Sequence, residues 1–145
     1  MNYTSSQNML LLIGRMLTSV LFIVSGYNKF ARYDFYVGFF GKLGIPSPDL
    51  AVYAVGAFEI AAAAALILGL RTRQTAIALG VYSIAAAALA HTAFNDMNQL
   101  THFLKNLSIL GALLAFGVSG AGAYSLDARA ERTSDAMNGD EALSG

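Results

Sequence analysis

The chain contains no cysteine. That removes disulfide frameworks, thiolate metal sites, iron–sulfur clusters and thiol nucleophiles together. Charge is scarce too: Asp, Glu, Lys and Arg make up 12% of the 145 residues, where a soluble domain carries about 25%. The 9 basic and 9 acidic residues cancel, so nucleic acid, which needs a clustered cationic surface, is not an expected partner. A Gly-rich phosphate loop, an H-E-x-x-H zinc motif, a G-x-S-x-G elbow and usefully spaced carboxylate pairs are also missing. What is present is a chain 56% apolar with mean hydropathy +0.54. A surface with so few charges implies lipid as the solvent for a single domain of this length.

Four apolar stretches follow, each near the roughly 20 residues that cross a bilayer core of about 30 Å. They are Met9 to Tyr27, with Arg15 as its one charge; Leu50 to Leu70, with Glu59; Gln74 to Ala93, with Gly80 and His91; and about Phe103 to Tyr124. The first has no basic segment before it and no A-x-A-like cleavage site, so it reads as a retained membrane helix. The alanine run Ala61 to Ala65 and the glycines Gly80, Gly111, Gly117, Gly120 and Gly122 suit close approach of membrane helices. Between the first two spans, Phe35, Tyr36, Phe39, Phe40 and Leu43 recur every three or four residues and are closed off by Gly44, Pro46 and Pro48. That pattern predicts a short amphipathic helix in the membrane interface. The fold class is therefore all-α, a four-helix membrane bundle over residues 1–126. The small, polar segment 127–145 reads as a disordered tail beyond an initial turn.

Four spans put both chain ends on one side. Each side carries four Lys or Arg, and the compact Arg71-Thr72-Arg73 turn, with Arg15 nearer the start of its helix, places the termini in the cytoplasm.

Ionisable groups inside lipid are costly, so each is a functional candidate with a partner to name. Taking the spans as read, Arg15 and Glu59 differ in depth by roughly 5 to 8 Å, within reach of an arginine, which predicts a buried pair joining the first two helices. Unpaired, Glu59 would instead be free to exchange protons. A second group gathers at the far end: Asn28 and Lys29 leaving the first helix, His91 ending the third, and His102, Lys105 and Asn106 opening the fourth. Lys105 and Asn106 in a first turn, beside free backbone N–H groups, would favour a carbonyl or an anion. The blander account has Lys29 and Lys105 snorkelling to the interface and His91 simply hydrogen-bonded. Two histidines eleven residues apart could ligate haem, but neither sits deep on a helix facing the other, so neither haem nor another metal is expected. The aromatic segment would roof this end. The result is an amphipathic pocket suited to a quinone headgroup and its tail.

Several short pieces in this order resemble the DoxX family of small four-helix inner-membrane proteins. They are Gly14-Arg15, Phe22, Ser25-Gly26 and Lys29; Gly44-Ile45-Pro46; Glu59 followed by Leu68-Gly69-Leu70-Arg71-Thr72-Arg73; His91 and Phe94; and the run Phe103 to Gly111, FLKNLSILG. The resemblance covers about Leu10 to Leu126. It implies a bacterial or archaeal membrane protein that often carries an oxidoreductase label with poorly defined chemistry. Some relatives are associated with thiosulfate:quinone oxidation and others with oxidative-stress complexes.

Together these readings predict a redox-associated membrane subunit. Arg15, Lys29, His91, Lys105 and Asn106 would bind a quinone or similar lipid-soluble ligand, and Glu59 and His91 would exchange protons. Membrane lipid surrounds it, as a homo-oligomer or as a subunit of a redox complex that supplies electrons. A non-catalytic assembly subunit and a small proton-coupled transporter or lipid-handling protein are the competing expectations.

Overall fold

The computed structural model describes residues 3–143, all helix and connection, with no strand among the described residues. The elements are α1 (Ser5–Ala31), α2 (Tyr33–Lys42), α3 (Pro48–Leu68), α4 (Thr72–Ala90), α5 (Met97–Ser119) and α6 (Leu126–Leu143). Four of them, α1, α3, α4 and α5, are long and apolar enough to cross a membrane. The aromatic connection between the first two spans is the ten-residue α2.

Hydropathy misplaces several ends because polar caps extend the helices beyond their apolar stretches. Thr4 starts α1 with a capping box: its hydroxyl accepts from the Gln7 N–H while the Gln7 side chain accepts from the Thr4 N–H. Asp96 starts α5, its carboxylate accepting from the Asn98 N–H at 2.8 Å. The fourth span thus begins six residues earlier than the hydropathy places it, at Met97 rather than Phe103. It also ends earlier, at Ser119. Gly120 and Gly122 lie beyond it with φ of +74° and +73°, so they shape a turn and do not pack a helix face.

The antiparallel pair α1 and α3 is the tightest seam. A Cβ on Gly26 would lie 2.8 Å from the Gly56 carbonyl oxygen, and one on Gly56 would lie 3.0 Å from the Phe30 ring. The seam fixes a register in which Ser25 and Lys29 face Glu59, while Arg15 reaches the last turn of α3. Helices α4 and α5 form the other pair, with Leu110 against Gly80. One half of the bundle is solid: Phe22, Ala63, Leu66, Ala76, Leu79, Leu113 and Phe116 make a continuous buried cluster. This is the half nearest the start of α1, here called the terminal end; the other is the loop end.

At the terminal end, the first turn of α6 docks on the α3–α4 turn. The Asp127 carboxylate accepts from the Arg71 and Thr72 N–H groups at 2.6 and 2.8 Å, satisfying the start of α4, and its own N–H donates to the Gly69 carbonyl at 2.9 Å. The Ser125 hydroxyl accepts from the Ala128 N–H and so starts α6.

Gly26→Val should disrupt the α1–α3 seam and cost about 3 kcal/mol, seen as a lower unfolding temperature by circular dichroism in detergent. Gly111→Ala, whose Cβ would meet nothing within 4 Å, should leave that temperature unchanged or slightly raised.

Candidate functional site

Glu59 lies near the middle of α3, 2% exposed, and Lys29 in the last turns of α1, 5% exposed. Lys29 Nζ is 2.7 Å from Glu59 Oε2, the one ion pair among the described residues. The other carboxylate oxygen accepts from the Tyr82 hydroxyl at 2.6 Å and from the Ser25 hydroxyl at 3.0 Å. Lys29 also donates to Ser25 at 3.0 Å and lies 5.3 Å from the centre of the Tyr36 ring. Every oxygen and charge in this knot has a partner, as a desolvated ion pair requires.

The pairing of Arg15 with Glu59 expected from the sequence does not form. In the observed register Arg15 sits ten residues before Ser25, about 15 Å along α1, beyond an arginine's reach of Glu59. Arg15 is fully buried and serves the terminal end instead. Its guanidinium donates to the Leu66 and Ile67 carbonyls, each at 3.3 Å, and to the Tyr124 carbonyl at 2.6 Å. A cation on the last carbonyls of α3 complements that helix's dipole. Gly69, in the left-handed conformation at φ +66°, brings its α-carbon against Arg15 and Ser125 where no Cβ would fit. Arg15 is therefore a positioning residue of the fold and is remote from the other candidates.

Those others surround a cavity of about 560 Å³ in the loop-end half, with Lys29, Glu59, His91, Lys105 and Asn106 all contributing to its wall. Its deep end is the Lys29–Glu59–Tyr82 knot. Its roof is α2, through Phe35, Tyr36, Phe39 and Phe40, and its side wall is lined by the small residues Ala51, Ala85, Ala86 and Ala90. These small side chains leave space, whereas the run Ala61 to Ala65 lies in α3 with Ala63 fully buried in the packed cluster.

At the opposite end of the cavity the His91 and His102 rings stack, centroids 4.9 Å apart and 21° from parallel. His91 Nδ1 bonds the Gln99 side-chain oxygen at 2.8 Å, and Lys105 Nζ bonds His102 Nδ1 at 3.1 Å. Face-to-face rings do not aim two nitrogens at one ion, and among the described residues no group of three His, Asp or Glu side chains could hold a metal.

Because α5 starts at Met97, Lys105 and Asn106 stand in its third turn. The backbone N–H groups there are already inside the helix, so the expected helix-start anion cradle is absent, and only the side chains can serve. The Asn106 amide spends one N–H on the His102 carbonyl at 2.9 Å.

Tyr82, Ser25 and Gln99 are partners that sequence reasoning assigned no role. Tyr82 had a legible cue, since a tyrosine in the middle of an alanine-rich span must find a partner for its hydroxyl. The register that supplies Glu59 as that partner was not legible.

A larger, polar cleft of about 870 Å³ lies at the terminal end, between α6 and the α3–α4 turn, bordered by Arg71, Arg73, Asp127 and Glu131. None of the candidate residues reaches it.

These features define a small polytopic helical protein with a buried ion pair beneath an aromatic-roofed cavity. The DoxX family model matches residues 10–92, and the chain belongs to that family. It is 34% identical over 134 residues to Inner membrane protein YphA of Escherichia coli (strain K12), covering 88% of this chain and 95% of that one. It is 31% identical over 116 residues to Inner membrane protein YqjF of the same strain, covering 80% and 88%. A 75-residue stretch is 31% identical to the Bacillus subtilis (strain 168) protein named "Putative oxidoreductase CatD", covering 52% of this chain and 54% of that one. No solved structure matches the chain. The four spans and these relatives make it a multi-pass inner-membrane protein.

Lys29→Met leaves Glu59 buried without its cation and should cost about 3 to 5 kcal/mol in unfolding free energy. Lys29→Met combined with Glu59→Met should recover most of that loss. Tyr82→Phe removes one donor and should cost about 1 to 2 kcal/mol. A double-mutant cycle read by denaturant unfolding in mixed micelles checks all three.

Proposed function

We propose that the chain is a redox-associated membrane subunit that binds a quinone or a similar lipid-soluble ligand in the loop-end cavity. The observation that carries this reading is the coincidence of a mid-span ion pair, an aromatic roof and a polar far end in one cavity. Such a space is mostly apolar, with a few convergent polar groups, as small-molecule sites are. The partial likeness to a protein named as an oxidoreductase supports the redox assignment.

In this role a ligand carbonyl lies against Lys105 and Asn106, and the aromatic faces of α2, lying in the membrane interface, cover its ring. The Lys29–Glu59–Tyr82 knot sets the polarity of the deep end. His91 and His102 line the polar end and can exchange protons with a reduced ligand, whereas Glu59 is held by Lys29, Ser25 and Tyr82. Electrons come from a partner subunit or a soluble reductant, because the chain has no cysteine and no cofactor motif of its own. Both termini lie in the cytoplasm, which places the cavity in the opposite half of the bilayer.

Protein purified in mild detergent should carry close to one quinone per chain by ultraviolet spectrum and lipid extract. Ala86→Phe, which fills the cavity from α4, should lower that occupancy at least tenfold while the protein stays monodisperse. A preparation with no quinone and a stoichiometric foreign subunit would instead establish an assembly role. Proton-driven uptake by vesicles containing this chain alone would establish a transporter.

A further inference from the structure

The charges lining the cavity define the class of its ligand more narrowly, and this step rests on the reading just given. We infer that the cavity takes a lipid-soluble molecule whose head carries one ionised acidic oxygen, held by Lys105 beside His102.

Three charged side chains line the cavity: Lys29, Glu59 and Lys105. Lys29 and Glu59 neutralise each other at 2.7 Å. Both Glu59 oxygens are engaged, Oε1 by Ser25 and Tyr82 and Oε2 by Lys29, and its single charge is matched by Lys29. The charge of Lys105 is thus uncompensated by the cavity wall, leaving the space with a net positive charge.

Lys105 stands exposed at the polar end of the cavity. It stands eight residues into α5, about 12 Å from the start of that helix. Its ammonium is tied to the ring nitrogen of His102 at 3.1 Å. An imidazole nitrogen that accepts this bond is neutral, so it orients the ammonium without balancing its charge. Exposed at the rim of an otherwise apolar cavity, this cation can pair with an anionic head that enters there. The ligand anion supplies the counter-charge, with the ammonium's remaining protons as donors. The rest of the molecule meets flat apolar walls, the rings of Phe35, Tyr36 and Phe39 on one side and alanines on the other. The match is an acidic oxygen on an apolar ring or chain, as in a hydroxyquinone or a fatty acid.

The test is a titration of the full chain in detergent with 2-hydroxynaphthoquinone, an anion at neutral pH, and with 2-methylnaphthoquinone, neutral and of nearly the same size. Each is corrected for partition into protein-free micelles. Charge-assisted hydrogen bonds are about twice as strong as neutral ones, so the hydroxy compound should bind about tenfold more tightly. Lys105→Gln should abolish the difference, and Lys105→Arg should keep it. Equal affinities in the unmodified protein, or a preference that survives Lys105→Gln, overturns the inference while leaving the quinone site standing.

A second measurement needs no variant: decanoate should displace the bound hydroxy compound and decanol should not. If decanoate binds directly and neither naphthoquinone does, the acidic class holds and the quinone reading falls. If none of the four binds, both fall.

Discussion

The α1–α3 seam is the constraint on which the rest of the structure depends. Two glycines, Gly26 and Gly56, let the helix backbones meet so closely that a single Cβ would collide with a carbonyl oxygen. Membrane helices gain no hydrophobic driving force from meeting each other, so contact of this kind and polar pairing decide how they associate. The seam allows essentially one axial register. That register places Lys29 opposite Glu59 and sends Arg15 to the end of α3, and it determines which charge neutralises which.

The same register divides the bundle into a filled half and a hollow half. Toward the terminal end, large side chains such as Phe22, Leu66, Leu79, Leu113 and Phe116 face inward and interlock. Toward the loop end several inward positions are small, Ser25, Ala51, Val55, Ala85, Ala86 and Ala90, and leave an open volume that α2 closes from outside with its aromatic rings. The filled half is held by complementary helix-end contacts. Arg15 lies on the carbonyl end of α3 and Asp127 on the N–H end of α4, a cation and an anion each set against the opposite partial charge of a helix terminus. The scarce charges of this chain are thus divided between holding one end rigid and lining the cavity at the other.

Much of the candidate site was legible before any coordinates. In a chain this poor in charge, Lys29, Glu59, His91, Lys105 and Asn106 stand out simply by lying on or beside apolar spans, and all five meet at one cavity. Arg15 stood out for the same reason and proved to belong elsewhere, because the axial offset of α1 against α3, set where Gly26 meets Gly56, puts Ser25 and Lys29 opposite Glu59 and Arg15 at the end of α3. Asp96 starts α5 before hydropathy rises, and that shift moved Lys105 out of a first turn. Tyr82 escaped because its role depends on a carboxylate from another helix, and no local pattern encodes that neighbour.

Sequence alone determined the four spans, the short aromatic helix between the first two and the family, since these follow from composition, period and local motifs, all properties of contiguous residues. Tertiary structure alone decided the partner of Glu59, the task of Arg15, the docking of Asp127 and the existence of an open volume beside alanine-rich helices. Each of these is settled by how two helices slide along one another. A shift of a single turn, about 5 Å, would leave every local pattern intact and exchange all of those partners.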